Sequence, residues 1–252
     1  MKVEACAAVG MALVAGCVGL KPDPSLAYYQ KFDDAALKAE VGIWADGRMG
    51  GGEIVPGKFG NALHVPGGKT GAAVDVPADV IGKKGCIEFW AKLDNGEGRM
   101  AGTFNPALFE LMADGAGRLR IGFTSNEGHG DSGLQYHYWG VAYSASHRGC
   151  GAHAYSEILK EDPAGWHHYA LVWNYDETDE AYQGEPLVVY IDGVKRYTAG
   201  KAGAKGTGYL KYTGWMKAKQ ALEFSFSHPP RSGYAIDEVR VWTTDKRTFD
   251  GL

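Results

Sequence analysis

"CIEFWAKL", Cys86 to Leu93, is the stretch whose reading decides the fold. Taken with a period of two, it has two faces. Ile87, Phe89, Ala91 and Leu93 form one, and Cys86, Glu88, Trp90 and Lys92 form the other. The first is a core face. The second mixes charge with an indole, so Trp90 is either a platform for a ligand or the floor on which a loop packs. The pattern returns in "PLVVYIDG", where Leu187, Val189 and Ile191 oppose Val188 and Tyr190. It returns again in "EVRVW", where Val239 and Val241 oppose Glu238, Arg240 and Trp242. Phe89, Leu171, Val189 and Val239 are thus expected to share one inner face.

Outward from this stretch, strand signals recur. "NALHVPG" and "GAAVDVPA" precede it, and "PALFELMADGAGRLRIGFTS" follows as a hairpin turning at "DGAG". "LQYHYWGVAYS", "WHHYALVWNY", "ALEFSFSH" and "YAIDEVRVW" continue the series, and Asp192-Gly193 marks a second hairpin turn. Helical signals are few. "DDAALKAEVG" and "HAYSEILKEDP" are the two candidates, each short. Many strands with frequent turns predict an all-β, two-sheet antiparallel sandwich. The 37 glycines and 12% aromatic content agree with β architecture.

The net charge of −4 leaves no basic field for nucleic acid or an anionic membrane surface. The chain opens on "MKVEACAAVGMALVAGC", a charged residue, an apolar run and Cys17. It is too short for a membrane span and reads as a secretion signal over residues 1–17. "VAGC", Val14 to Cys17, resembles the lipobox of bacterial lipoproteins, which implies a lipid on Cys17, export, and membrane contact only through that anchor. An outer-membrane or cell-surface location in the envelope follows. "VGLKPDPS", residues 18–25, reads as a tether, and residues 26–252 as one domain. Cys86 and Cys150 are the two cysteines left in the body of the chain. Export permits a disulfide between them, and two free, partly buried thiols are the alternative.

Five segments in order, "GKFGNALHVPG", "CIEFWAKL", "GWHHYALVWN", "LVVYIDGV" and "IDEVRVW", resemble the LamG-like jelly-roll family of the concanavalin A-like lectin/glucanase superfamily. The resemblance covers roughly residues 26–248. It implies two packed antiparallel sheets in a jelly roll, with chain ends on neighbouring strands. It leaves function open among glycan-binding, adhesion and protein-interaction domains and glycosidase accessory domains.

Because the superfamily contains glucanases, a carboxylate pair about 5–5.5 Å apart has to be sought. "CIEFWAKLD" offers one Glu, the acids of "YDETDEAY" follow a strand as a solvated turn, and "IDEV" puts Asp237 and Glu238 on opposite faces. No catalytic residue is assigned. The superfamily's structural calcium makes Asp33, Asp34 and Asp237 candidate ligands, since the meeting chain ends bring them near one another. The alternative is that these carboxylates hold turn amides. "HRGCGAH" falls short of a zinc set. His167 and His168 alternate on one strand and read as packing and surface residues.

The densest unassigned regions are Ser125 to Gly165, a long connection unless it holds further strands, and Gly200 to Gln220. Their rings suit sugar faces, with polar neighbours for hydroxyls. Trp139, Trp215, Tyr136, Tyr138, Tyr212, Gln135 and Arg148 are the candidate ligand contacts. The function expected is a non-catalytic binding module for a glycan. The alternatives are a structural or adhesion protein of the envelope that binds a protein partner, and a divergent glycoside hydrolase.

Overall fold

The computed structural model describes residues 23–42, 47–67, 70–76, 84–94, 107–113, 117–125, 137–143, 150–155, 162, 164–174, 178, 187–198, 220–225 and 233–249. Among the described residues there are fifteen strands: β1 (Leu26–Gln30), β2 (Arg48–Met49), β3 (Glu53–Pro56), β4 (Asn61–Val65), β5 (Thr70–Val76), β6 (Lys84–Leu93), β7 (Ala107–Ala113), β8 (Gly117–Ser125), β9 (His137–Tyr143), β10 (Cys150–Tyr155), β11 (His167–Asn174), β12 (Leu187–Ile191), β13 (Val194–Thr198), β14 (Gln220–Ser225) and β15 (Tyr234–Trp242). No helix occurs among the described residues. Antiparallel pairing builds two sheets, β13-β12-β11-β6-β15-β4-β3 with β1 added on β15, and β10-β9-β8-β7-β14-β5-β2. The fold is an all-β antiparallel jelly-roll sandwich.

The alternation of β6 is carried through the first sheet. Phe89 pairs with Tyr169, and Ile87 with Leu171 and Val241. Phe89, Leu171, Val189 and Val239 are all buried, as expected of one inner face. The first and last described strands pair, Tyr28 with Val241 and Gln30 with Val239, as the resemblance implies. Asp192 and Gly193 both take positive φ, 49° and 72°, at the turn into β13. Both central residues of a type I′ turn need that conformation.

Two expectations change. "DDAALKAEVG" is not helical: Phe32 and Leu37 adopt left-handed backbone, φ 60° and 53°, which breaks any helical run. A bridge between Tyr29 and Val41 then closes the segment into a loop. The stretch after Ser125 is also no single loop, because β9 and β10 form a hairpin within it. "HAYSEILKEDP" begins in β10, and residues 156–161 lie outside the described residues.

The outer face of the first sheet is covered. The segment after β15 folds back over it, placing Phe249 against Tyr190 and His168, with ring centroids at 5.0 and 5.4 Å. Cys86 sits in this outer layer with Ala170, Val172, Val188, Tyr190 and Phe249. Its thiol is free, which corrects the bridge to Cys150. The even positions of β6 turn away from the second sheet, to which the Cys150 strand belongs. Burial, then the Glu88 charge, pushes this thiol well above its ordinary range.

Candidate functional site

The outer face answers why a tryptophan stands among charged residues on β6. Trp90 is only 7% exposed. It is a floor, and the turn between β3 and β4 packs on it. Gly57 donates to the Gly60 carbonyl at 2.9 Å, which closes the turn, and Gly60 takes φ 70°. The Phe59 ring meets Trp90 edge-on at 5.9 Å. The Lys58 ammonium lies 4.5 Å from the Trp90 ring centre and 5.8 Å from that of Phe59. Phe59 is itself 51% exposed.

Two carboxylates fix this turn. Asp237 Oδ2 accepts the Phe59 amide at 2.9 Å, and Asp33 Oδ1 accepts that of Asn61 at 3.3 Å. The Asn61 side chain donates back to the Asp33 carbonyl at 2.9 Å. Asp237 reaches the turn because β15 carries a bulge at Glu238, where φ is 55°. Ahead of the bulge Asp237 pairs with Trp90, and after it Arg240 pairs with Glu88. The extra residue resets the alternation.

It also overturns the expectation that Asp237 and Glu238 face opposite ways. Glu238 accepts from the Tyr29 hydroxyl and pairs with Arg240, both on the outer side. Burial first, and then the nearby Glu238 charge, pushes the Asp237 carboxyl up to about 6 against its amide donors. The two acids are neighbours: both Asp237 oxygens accept backbone amides, and Glu238 Oε2 takes Tyr29 and Arg240. Together they clamp the β3–β4 turn and the first strand onto β15.

The three calcium candidates, Asp33, Asp34 and Asp237, each engage the backbone. Asp34 Oδ1 accepts the Ala36 amide at 2.9 Å, so all three carboxylates hold backbone amides, in agreement with the turn-amide alternative. Among the described residues no three Asp, Glu, His or Cys side chains gather as a metal-binding group.

Beside this turn lies a second polar layer. Glu88 Oε1 accepts from Trp242 Nε1 and from Lys246 Nζ, each at 2.8 Å. His168 Nε2 is 3.3 Å from Glu88 Oε2, off the axis of a hydrogen bond. Burial raises the Glu88 carboxyl, but the His168 ring and the Lys246 ammonium outweigh it and hold it at about 2. This network pins the C-terminal segment to the sheet.

Of the ligand contacts expected from sequence, Trp139 and Tyr138 lie on β9. The register sets Trp139 between Phe123 and Ala154, and Tyr138 between Thr124 and Tyr155. Trp215, Tyr212, Tyr136, Gln135, Arg148 and Cys17 lie outside the described residues. Phe59 is not among the contacts expected from sequence, because its segment reads as part of a fold motif. Its signal was an aromatic residue in a glycine-bounded turn, "GKFG".

Comparison with protein-family profiles finds no match, and neither does comparison with curated proteins. Solved structures do match. Domain 4 of AbnA, a GH43 extracellular arabinanase from Geobacillus stearothermophilus, in complex with arabinotriose, is 17% identical. That likeness covers 86% of this chain and 92% of that one, with a TM-score of 0.52. The binding domain of botulinum neurotoxin DC, in complex with rat synaptotagmin II, is 11% identical with a TM-score of 0.62 over 88% of this chain and 49% of that one. The same binding domain in complex with SialylT gives 13% and 0.61, over 88% and 48%. This chain spans about half the length of those toxin domains. At such identities the likeness is one of fold.

Proposed function

We propose that this protein is a non-catalytic carbohydrate-binding module, exported and held in the cell envelope by lipid on Cys17. The observation that carries the binding reading is Phe59. It is an aromatic ring half open to solvent on a turn gripped by two carboxylates and seated on Trp90. Such a ring loses little freedom when a sugar face stacks on it, so more of the contact energy is kept as affinity. Lys58 beside it offers donors to hydroxyls. The arabinotriose complex of an arabinanase domain with the same architecture supports the ligand class. The rings at Trp139, Tyr138 and Trp215 are further candidate contacts. Export and the anchor rest on the "VAGC" segment alone.

A second reading, an adhesion module for a protein partner, is favoured by the synaptotagmin complex of a toxin domain with this fold. A glycan-array screen of the purified protein, with Phe59→Ala alongside, separates the two. Glycan signal that falls in the variant supports the carbohydrate reading. A blank array for the wild type refutes it and leaves adhesion.

A further inference from the structure

The ring platform at Phe59 has a neighbour on the same face. Trp90 and Lys92 stand two residues apart on β6, whose pairing with β15 is regular from Trp90 to Leu93. Successive residues of a strand alternate, so the two share the outer face, about 6.8 Å apart at Cα. The Lys92 ammonium lies 5.2 Å from the ring centre of Trp166, the residue just ahead of β11. The Lys58 ammonium lies 4.5 Å from that of Trp90. Two ring–ammonium pairs are thus set side by side. Lys58 and Phe59 are exposed, and Lys92 and Trp166 half-buried.

Nearby charges do not neutralise them. Among the described residues no carboxylate forms an ion pair with Lys58 or Lys92. The carboxylates closest to them in the sheet are engaged elsewhere. Asp237, paired with Trp90, holds the Phe59 and Glu238 amides. Asp94, two residues beyond Lys92, accepts the Gly233 amide at 2.9 Å and meets His64 Nε2 at 2.9 Å. The row that starts at Lys92 runs through Ala235 and His64 before it reaches Glu53, three strands away. The whole protein carries a net charge of −4, so this positive spot is local. It draws a small anionic group, while the negative remainder of the surface holds off large polyanions.

The rings add a second requirement. An ammonium stacked on a ring is fixed in place and still has N–H donors for a ligand. Alone it would take any anion. The aromatic faces beside it favour a ligand that also presents apolar C–H groups, as a sugar ring does. We propose that the Phe59 site takes an acidic saccharide, with one sugar face on Phe59 and a carboxylate or sulfate of the same chain held by Lys58 and Lys92. The saccharide part rests on the carbohydrate-binding reading, and the acidic part rests on the two lysines. Trp166 offers a second ring to the sugar residue that follows.

The test uses the full-length protein and matched probes: trigalacturonate with its methyl ester, and sialyllactose and sulfated lactose with lactose. Titration calorimetry at low and raised salt reads binding. The wild type should bind at least one acidic probe about tenfold or more tighter than its neutral counterpart, the scale of one charge-assisted hydrogen bond. The probe that shows the gap assigns the anionic group as uronate, sialate or sulfate. Raised salt should narrow the gap, because both ammonium groups reach solvent. Lys92→Gln and Lys58→Gln should each narrow it at an unchanged melting temperature, and Lys92→Arg, which keeps the charge, should retain it. Should either glutamine variant unfold, the other carries the test. Acidic and neutral probes bound equally overturn the proposal and leave the carbohydrate reading standing. An acidic preference that survives both glutamine variants also overturns it, since the charge then lies elsewhere. Poly-glutamate bound with the same dependence on the lysines overturns it in favour of an acidic peptide partner. A wild type that binds no saccharide, acidic or neutral, removes both readings.

Discussion

The Asp237 carboxylate accepts the Phe59 amide across 178 residues of sequence, at 2.9 Å, so the last strand sets the shape of the turn that presents the exposed ring. Its other oxygen accepts the Glu238 amide at 2.8 Å. Asp237→Asn keeps the volume but replaces one acceptor by a donor that faces an amide. A loss of about 1–3 kcal/mol is expected in chemical denaturation. The carboxyl titrates near 6 in the folded protein against 3.8 when free. Folding therefore favours the protonated form, and this contribution is present below 3.8 and lost as pH rises through about 6. The variant should show a flatter stability profile across that window, and an unchanged slope would assign it to another group.

Glu88 has the opposite sign. Its folded value near 2 lies below the ordinary 4.5, so its contribution is present above 4.5 and disappears as pH falls toward 2. That gap corresponds to about 3 kcal/mol. Glu88→Ala should cost about 3–5 kcal/mol, because it leaves Lys246 and the Trp242 N–H without their buried acceptor. Glu88→Gln should remove most of the acid limb. Denaturation series from neutral pH to pH 2 read both effects, and a wild-type acid limb retained in Glu88→Gln would exclude Glu88 as its source.

Phe89 is fully buried and stacks on Tyr169 with centroids 5.8 Å apart. Phe89→Ala should cost about 3–5 kcal/mol through lost burial and the cavity left behind. A midpoint shift worth less than about 1 kcal/mol would mean that the inner face has been misassigned.

The core was legible in the sequence because an alternating face is a local signal. Ile87, Phe89 and their partners on β11 and β15 could be placed on one side before any contact was known. The site was harder to see for three separate reasons. Glu238 shifts the phase of β15 by one residue, and nothing in "IDEV" announces a left-handed glutamate. Phe59 owes its exposure to Asp237 and Asp33, both distant in sequence, so its role is written in pairing rather than in its neighbours. Asp33 reaches the Phe59 turn from "DDAALKAEVG", which is helical by composition but is turned back by Phe32 and Leu37. Tertiary closure at Tyr29 and Val41 prevailed over local propensity there.

The first 22 residues lie outside the described structure, and their role is testable directly. If "VAGC" directs lipid to Cys17, metabolic labelling with palmitate should mark the wild type. Cys17→Ala should abolish the label and shift the protein out of the membrane fraction or leave its leader uncleaved. Wild-type protein that carries no label and fractionates as the variant does would rule the anchor out.

His167 sets the alkaline side of the stability profile. Its Nδ1 lies 2.8 Å from Asp192 Oδ2 and its Nε2 lies 2.7 Å from the Asp162 carbonyl oxygen. Both partners only accept, so both ring nitrogens must donate, and the ring is held as imidazolium. Burial pulls its pKa down, but the Asp192 carboxylate and the Asp162 carbonyl outweigh that and raise it above 6.5. A raised histidine contributes stability that is complete below 6.5 and is lost as pH rises through the folded value. Deprotonation withdraws one hydrogen bond, either from Asp192 at the β12–β13 turn or from the segment ending at Gly165. His167→Gln keeps a donor without the titration, so it should lower stability at pH 6 while flattening the decline above it. NMR titration of the His167 ring gives the decisive reading. A pKa at or below that of a free histidine would show that the two acceptors do not hold the charged form.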